Sequence, residues 1–181
     1  MGSFEMSTKE TRAIARSIKQ QVESLKVWGL KDLPTRQSVS MTKAAALASL
    51  EQDVIACTRC PLYRSRTHHV FGEGRPGAKL VFVGEAPGRE EDLQGRPFVG
   101  AAGQLLTKMI EAMKLSRDEV YICNVLKDRP PSNRTPEPAE TQACLPFLER
   151  QLAIIQPKVI CALGAVAAKA LRRQPPAQGA L

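Results

Sequence analysis

Between Lys79 and Gly103 the chain reads KLVFVGEAPGREEDLQGRPFVGAAG. An apolar run stops at Gly84-Glu85-Ala86-Pro87-Gly88, and a glycine-bounded segment carrying Phe98 follows. A buried strand that runs into a small-residue loop can deliver backbone N–H groups, a carboxylate and an aromatic face to one pocket. Glu85 in that loop could position a water or stabilise a developing positive charge, or could be a solvated loop acid. Phe98 would by default be core, but Gly95 and Gly100 on either side suit a ring held out on a tight loop. Asn124 closes another apolar run, where an amide is costly unless paired, and it can offer a donor and an acceptor to a pyrimidine edge. Glu90, Glu91 and Asp92 fit the acidic first turn of a helix better than they fit chemistry. The layout is that of a site for a nucleobase.

A second constellation is built from thiols. Cys57-Thr58-Arg59-Cys60 has the spacing that lets two thiolates bind one metal or cluster, with a redox pair or two ordinary buried thiols as the alternatives. A metal reading needs further ligands, and Cys144 is the obvious one. Cys123 and Cys161 fall inside apolar strand patterns and read as small core residues.

Elements to position these residues are legible in the pattern. Short apolar runs at residues 80–83, 120–125 and 158–163 read as strands, and helical spacing predicts helices over 43–56, 103–113 and 140–155. Strands alternating with single helices imply a three-layer α/β/α sandwich around a central parallel sheet. Ligands in such sheets sit beyond the carboxyl ends of the strands, where Gly84-Glu85, Asn124 and Gly164 fall. Upstream, Ile14, Ile18, Val22 and Leu25 predict an amphipathic helix over 8–29 that docks on the domain or meets a partner chain, and residues 33–42 read as a linker. The expected organisation is a helical extension and linker over 1–46, the α/β domain over 47–174, and a disordered tail over 175–181.

With 181 residues, 26 Lys plus Arg against 18 Asp plus Glu, and a formal charge of +8, the chain is one domain with an appendage and is suited to a polyanion partner. No apolar run approaches the roughly 20 residues that span a bilayer, and the N-terminus lacks a signal h-region, so no membrane association and a cytoplasmic location are expected. Five cysteines without an export signal argue against a disulfide framework.

Taken together, VFVGEAPGREED, GRPFVGAAGQLL, VYICNVLKDRPPSNRTPEP and PKVICALGAVA, in this order and spacing, resemble the family 4 uracil-DNA glycosylases, the iron–sulfur type of bacteria and archaea. The resemblance covers residues 50–172. It implies the uracil-glycosylase α/β/α sandwich, hydrolysis of the bond joining uracil to deoxyribose in DNA, and a structural 4Fe-4S cluster. It further implies Glu85 as the acid that assists water attack, Phe98 as the ring stacking on a flipped uracil, and Asn124 as the reader of its edge. Gly84 and Ala86 would complete the uracil pocket, and Cys57, Cys60 and Cys144 match three cluster ligands. Arg64, Arg66, Lys127, Arg129 and Arg134 surround these segments as phosphate contacts should.

Two departures from the pattern change the expectations. Where the family carries a cysteine, this chain reads Lys127-Asp128-Arg129-Pro130-Pro131, which predicts a cluster held by three thiolates with Asp128 or an exogenous ligand as the fourth, and Cys123 as a weaker substitute. The chain also reads RRQPPAQGAL after Ala170-Leu171, without the family's histidine-containing loop, and its two histidines are His68 and His69. A C-terminally shortened sandwich with an uncovered sheet edge is therefore expected, either an active glycosylase or a catalytically impaired DNA- or partner-binding module of the same fold. A zinc-binding structural protein is the third reading.

Overall fold

The computed structural model of the protein describes residues 42–172. The expected helix over 8–29, the linker and the tail beyond 174 lie outside the described residues. The first described element, α1 (Lys43–Ile55), begins where Thr42 Oγ1 accepts from the Ala45 amide at 3.2 Å, satisfying one of the free donors of the first turn. A 3₁₀ turn at Pro61–Arg64 follows, then β1 (Glu73–Gly74), β2 (Leu80–Gly84), α2 (Arg89–Gln94), α3 (Ala101–Ala112) and β3 (Tyr121–Asn124). A second 3₁₀ turn at Pro131–Asn133 leads to α4 (Pro138–Ile155), β4 (Val159–Ala162) and α5 (Ala165–Arg172).

The sheet runs in the order β1-β3-β2-β4. β2 pairs in parallel with both β3 and β4, with Gly84 opposite Asn124 and Val83 opposite Cys123 and Ala162. This is the expected parallel pairing, with α2 and α3 in the connection from β2 to β3 and α4 in that from β3 to β4, and with one addition. β1 pairs antiparallel to β3, Glu73 opposite Ile122, and its two residues carry no apolar run that sequence reading could detect.

Alternation along β2 and β3 divides the core into two. Val81, Val83, Tyr121 and Cys123 face Leu47, Leu50 and Val54 of α1 and Leu148, Leu152 and Ile155 of α4. Phe82 and Ile122 face Leu106 and Ile110 of α3 on the other side. Strands buried on both faces, with successive side chains directed to opposite helical layers, make this the α/β/α sandwich. β4 is an edge strand whose Val159 and Ile160 are exposed. Among the described residues, no helix is long and apolar enough to cross a membrane.

Candidate active site

The carboxyl ends of β2 and β3 lie side by side, and their registry brings the candidate residues together. Past its last strand residue, β3 continues against the β2 loop: the Val125 amide donates to the Gly84 carbonyl at 2.9 Å and the Leu126 amide to the Glu85 carbonyl at 3.0 Å. Glu85 is thereby held at the strand end, half-buried, lining a cleft of about 170 Å³ with Pro87, Pro130, Asn133 and Arg134. A larger groove of about 440 Å³ runs between α4 and α5, past Leu145, Val166 and Lys169, away from this chemistry. Asn124 is 1% exposed, and among the described residues its Oδ1 is the one buried side-chain N or O atom without a hydrogen-bond partner. Leaving such an acceptor unpaired costs about 1–3 kcal/mol, which makes Asn124 a candidate to meet a donor from outside the described residues. A Cβ on Gly84 would collide with both this Oδ1 and the Phe98 ring, so strand end, amide and ring meet at one point that only glycine accommodates.

Phe98 reaches that point through a constrained loop. Its φ is 53°, the left-handed region that costs a non-glycine residue on the order of 1 kcal/mol. Its carbonyl packs so closely on Gly103 of α3 that a Cβ there would overlap it. On the other side, Glu91 Oε1 accepts from the Val99 amide at 2.9 Å and the Gly100 amide at 2.8 Å, while its Oε2 accepts from the Gly88 amide at 3.1 Å. Glu91 thus joins the Glu85 loop to the Phe98 loop, a role hidden in sequence because an acid in the first turn of a helix normally means no more than capping. Asp92 is buried and binds the Thr67 amide and hydroxyl, both at 2.8 Å, pinning the preceding loop to α2.

Residues 71–180 match the family model of the Uracil DNA glycosylase superfamily. The chain belongs to that superfamily. It is 56% identical over 120 residues to a type-4 uracil-DNA glycosylase of Sulfurisphaera tokodaii, covering 66% of this chain and 54% of the relative. It is 51% identical over 124 residues to the type-4 enzyme of Archaeoglobus fulgidus (68% and 62%) and 52% identical over 126 residues to that of Thermotoga maritima (70% and 66%). The chain therefore spans between about half and two-thirds of the length of these relatives.

In this superfamily member the cysteines group at one corner of the sandwich. Cys57 and Cys60 pack on the core cluster that contains Cys144. Burial pushes the Cys60 thiol above its ordinary range, and the nearby charges of Asp128 and Cys57 add to the rise. Burial likewise pushes Cys144 up to about 11, with Cys60 and Asp128 contributing and the Lys127 amide opposing. Among the described residues, no three His, Cys, Asp or Glu side chains are gathered closely enough to hold a metal ion as they stand. Asp128 is itself committed: both its oxygens accept from Arg66 Nη1, at 3.0 and 3.1 Å, while burial holds its carboxyl above the usual carboxylate range against that pairing.

The basic residues divide by burial, which corrects part of the sequence reading. Lys127, read there as a phosphate contact, is 1% exposed and its Nζ donates to the Asn124 carbonyl at 2.7 Å and Gln151 Oε1 at 2.6 Å. It positions the strand end that carries Asn124, and a strong desolvation lowers its pKa. Arg66 is engaged by Asp128 and the Ile55 carbonyl, and Arg134 by the buried Glu140 at 2.6 and 2.8 Å. Arg64 is exposed beside Tyr63, and Arg129 donates to Asn133 Oδ1 at 2.6 Å near the cleft.

Proposed function

We propose that this chain is a uracil-DNA glycosylase that hydrolyses the N-glycosidic bond of a uracil flipped out of DNA. The observation that carries the reading is the unpartnered, buried Asn124 Oδ1 beside the Phe98 ring and the bare Gly84. Uracil presents an N–H at its N3 position, which would satisfy that acceptor. Cytosine presents a lone pair there and would leave it orphaned, a difference that a buried polar site converts into strong discrimination. An extruded base loses its stacking, and the Phe98 face would restore it. As the bond to the sugar breaks, electrons leave with the uracil and positive charge develops on the sugar, which the Glu85 carboxylate at the cleft would stabilise while orienting the attacking water.

The 4Fe-4S cluster is part of the same reading. The observation that supports it is the donor set: Cys57 and Cys60 pack on the core cluster that contains Cys144, which brings three soft sulfur donors to one part of the domain. Cys57, Cys60 and Cys144 would hold the cluster as thiolates. Asp128 would join only after release from Arg66; otherwise the fourth position falls to an exogenous ligand. The cluster would tie the Cys57–Cys60 segment to α4 and supply no step of the hydrolysis.

An assay with a uracil-containing single-stranded oligonucleotide tests the function. The full chain is expected to release uracil and spare cytosine, with Glu85→Ala losing about 10²- to 10⁴-fold in kcat. Asn124→Leu should lose about 10- to 100-fold in kcat/KM. No release by the unsubstituted chain would overturn the reading, and equal activity of Glu85→Ala would remove Glu85 from the chemistry.

A further inference from the structure

Arg117 lies in the connection between α3 and β3, and nothing in the site as described so far uses it. Its guanidinium is nevertheless the most connected group next to the Phe98 loop. Nη1 donates to the Phe98 carbonyl at 3.1 Å and to Thr107 Oγ1 at 3.1 Å, and Nη2 donates to the Pro97 carbonyl at 2.7 Å. Nε donates to Glu73 Oε1 at 3.0 Å, and Glu73 also accepts from Arg96 Nε at 2.8 Å. One planar cation therefore ties together two successive carbonyls of the loop, a hydroxyl of α3 and a carboxylate on β1.

We propose that Arg117, anchored by Glu73, is a positioning residue that holds the Phe98 ring against Gly84 and Asn124 by fixing the Pro97–Phe98 backbone. The proposal rests on the reading of Phe98 as the base-stacking ring. Phe98 has a left-handed backbone, and Arg117 supplies hydrogen-bond donors to its carbonyl and to that of Pro97, which satisfies both main-chain acceptors of the turn. Five N–H donors in a fixed fork allow one arginine to serve both carbonyls and the carboxylate at once, which a lysine cannot do. Glu91 grips the following amides from the opposite side, so the ring sits between two clamps. The antiparallel β1 then has a function: it places Glu73, opposite Ile122, where it can hold the guanidinium in register.

The test uses the full chain labelled with 4-fluorophenylalanine, whose five phenylalanines give separate fluorine resonances, that of Phe98 assigned by its loss in Phe98→Leu. Arg117→Met and Glu73→Gln are expected to shift and broaden the Phe98 resonance, while Phe71 and Phe147 in the opposite core layer keep theirs. In uracil release, Arg117→Met should lose about tenfold in kcat/KM, Arg117→Lys should recover little of it, and the loss should disappear in the Phe98→Leu background. An unmoved Phe98 resonance in both variants, or a loss that persists undiminished in Phe98→Leu, overturns the proposal. So does movement of Phe71 and Phe147 in Glu73→Gln, which would make the network a general support of the fold. The fluorine result does not require uracil release, so failure of the glycosylase reading and failure of the clamp are separable.

Discussion

The pocket turns on a side chain that is missing. Gly84 lies where a single methyl group would meet both Asn124 Oδ1 and the Phe98 ring. Gly84→Ala is expected to cut uracil release by about 100-fold, whereas Gly77→Ala, whose Cβ meets nothing within 4 Å, should leave it unchanged; steady-state kinetics on the same oligonucleotide checks both. A second expectation concerns Glu73. Burial alone would raise its carboxyl pKa, but the hydrogen bonds and charges of Arg96 and Arg117 outweigh that and hold it below the ordinary glutamate value. A carboxyl depressed in the folded state contributes stability above its unfolded pKa and loses that contribution as pH falls through the folded one. The melting temperature of the unsubstituted chain should therefore exceed that of Glu73→Gln at neutral pH, and the two should converge in acid. Convergence on raising the pH instead would contradict the assignment. Because the carboxylate is partly solvated, the difference should be small.

At the scale of elements, α1 and α4 close one face of the sheet. Leu50 of α1 and Leu148 of α4 are fully buried in the same cluster. Leu50→Ala is expected to destabilise the fold by about 2–5 kcal/mol through lost burial and the cavity left behind, measured as a lower urea midpoint with unchanged slope. These helices were readable from periodicity: α1 begins at Lys43 as expected, and α4 begins at Pro138, two residues earlier than its apolar pattern, because a proline at the first helical position adds no apolar signal. The elements that sequence did not disclose are the short ones. β1 exists because its two residues pair with β3, and α2, of which the sequence showed only an acidic first turn, is held by Glu91 and Asp92 of that turn binding the flanking loops. Neither is long enough to show a period.

At the scale of the molecule, the cysteine corner joins the segment after α1 to the middle of α4, and a cluster there would act as a cross-link. Anaerobically purified protein is expected to contain roughly four irons and four sulfides. Chelation of the iron should lower the melting temperature, and Cys144→Ser should reduce the iron content; stoichiometric zinc or no metal would refute the cluster. The amino-acid sequence by itself determined the sandwich and the parallel pairing of its strands, and it marked Glu85, Phe98 and Asn124 as candidates at the strand ends. These depend on alternation, on helical spacing, and on where an apolar run meets a glycine or a polar residue, all of which are local properties of the chain. Only the tertiary structure decided which charges are free. Lys127 and Asp128 sit in a string that reads as a polar loop, yet folding buries both and commits them to Asn124, Gln151 and Arg66. Glu73, Glu91 and Arg117 became part of the site only when strands and loops distant in sequence met around Phe98. Burial and long-range hydrogen bonding are properties of the packed chain, and no residue type or spacing encodes them one at a time.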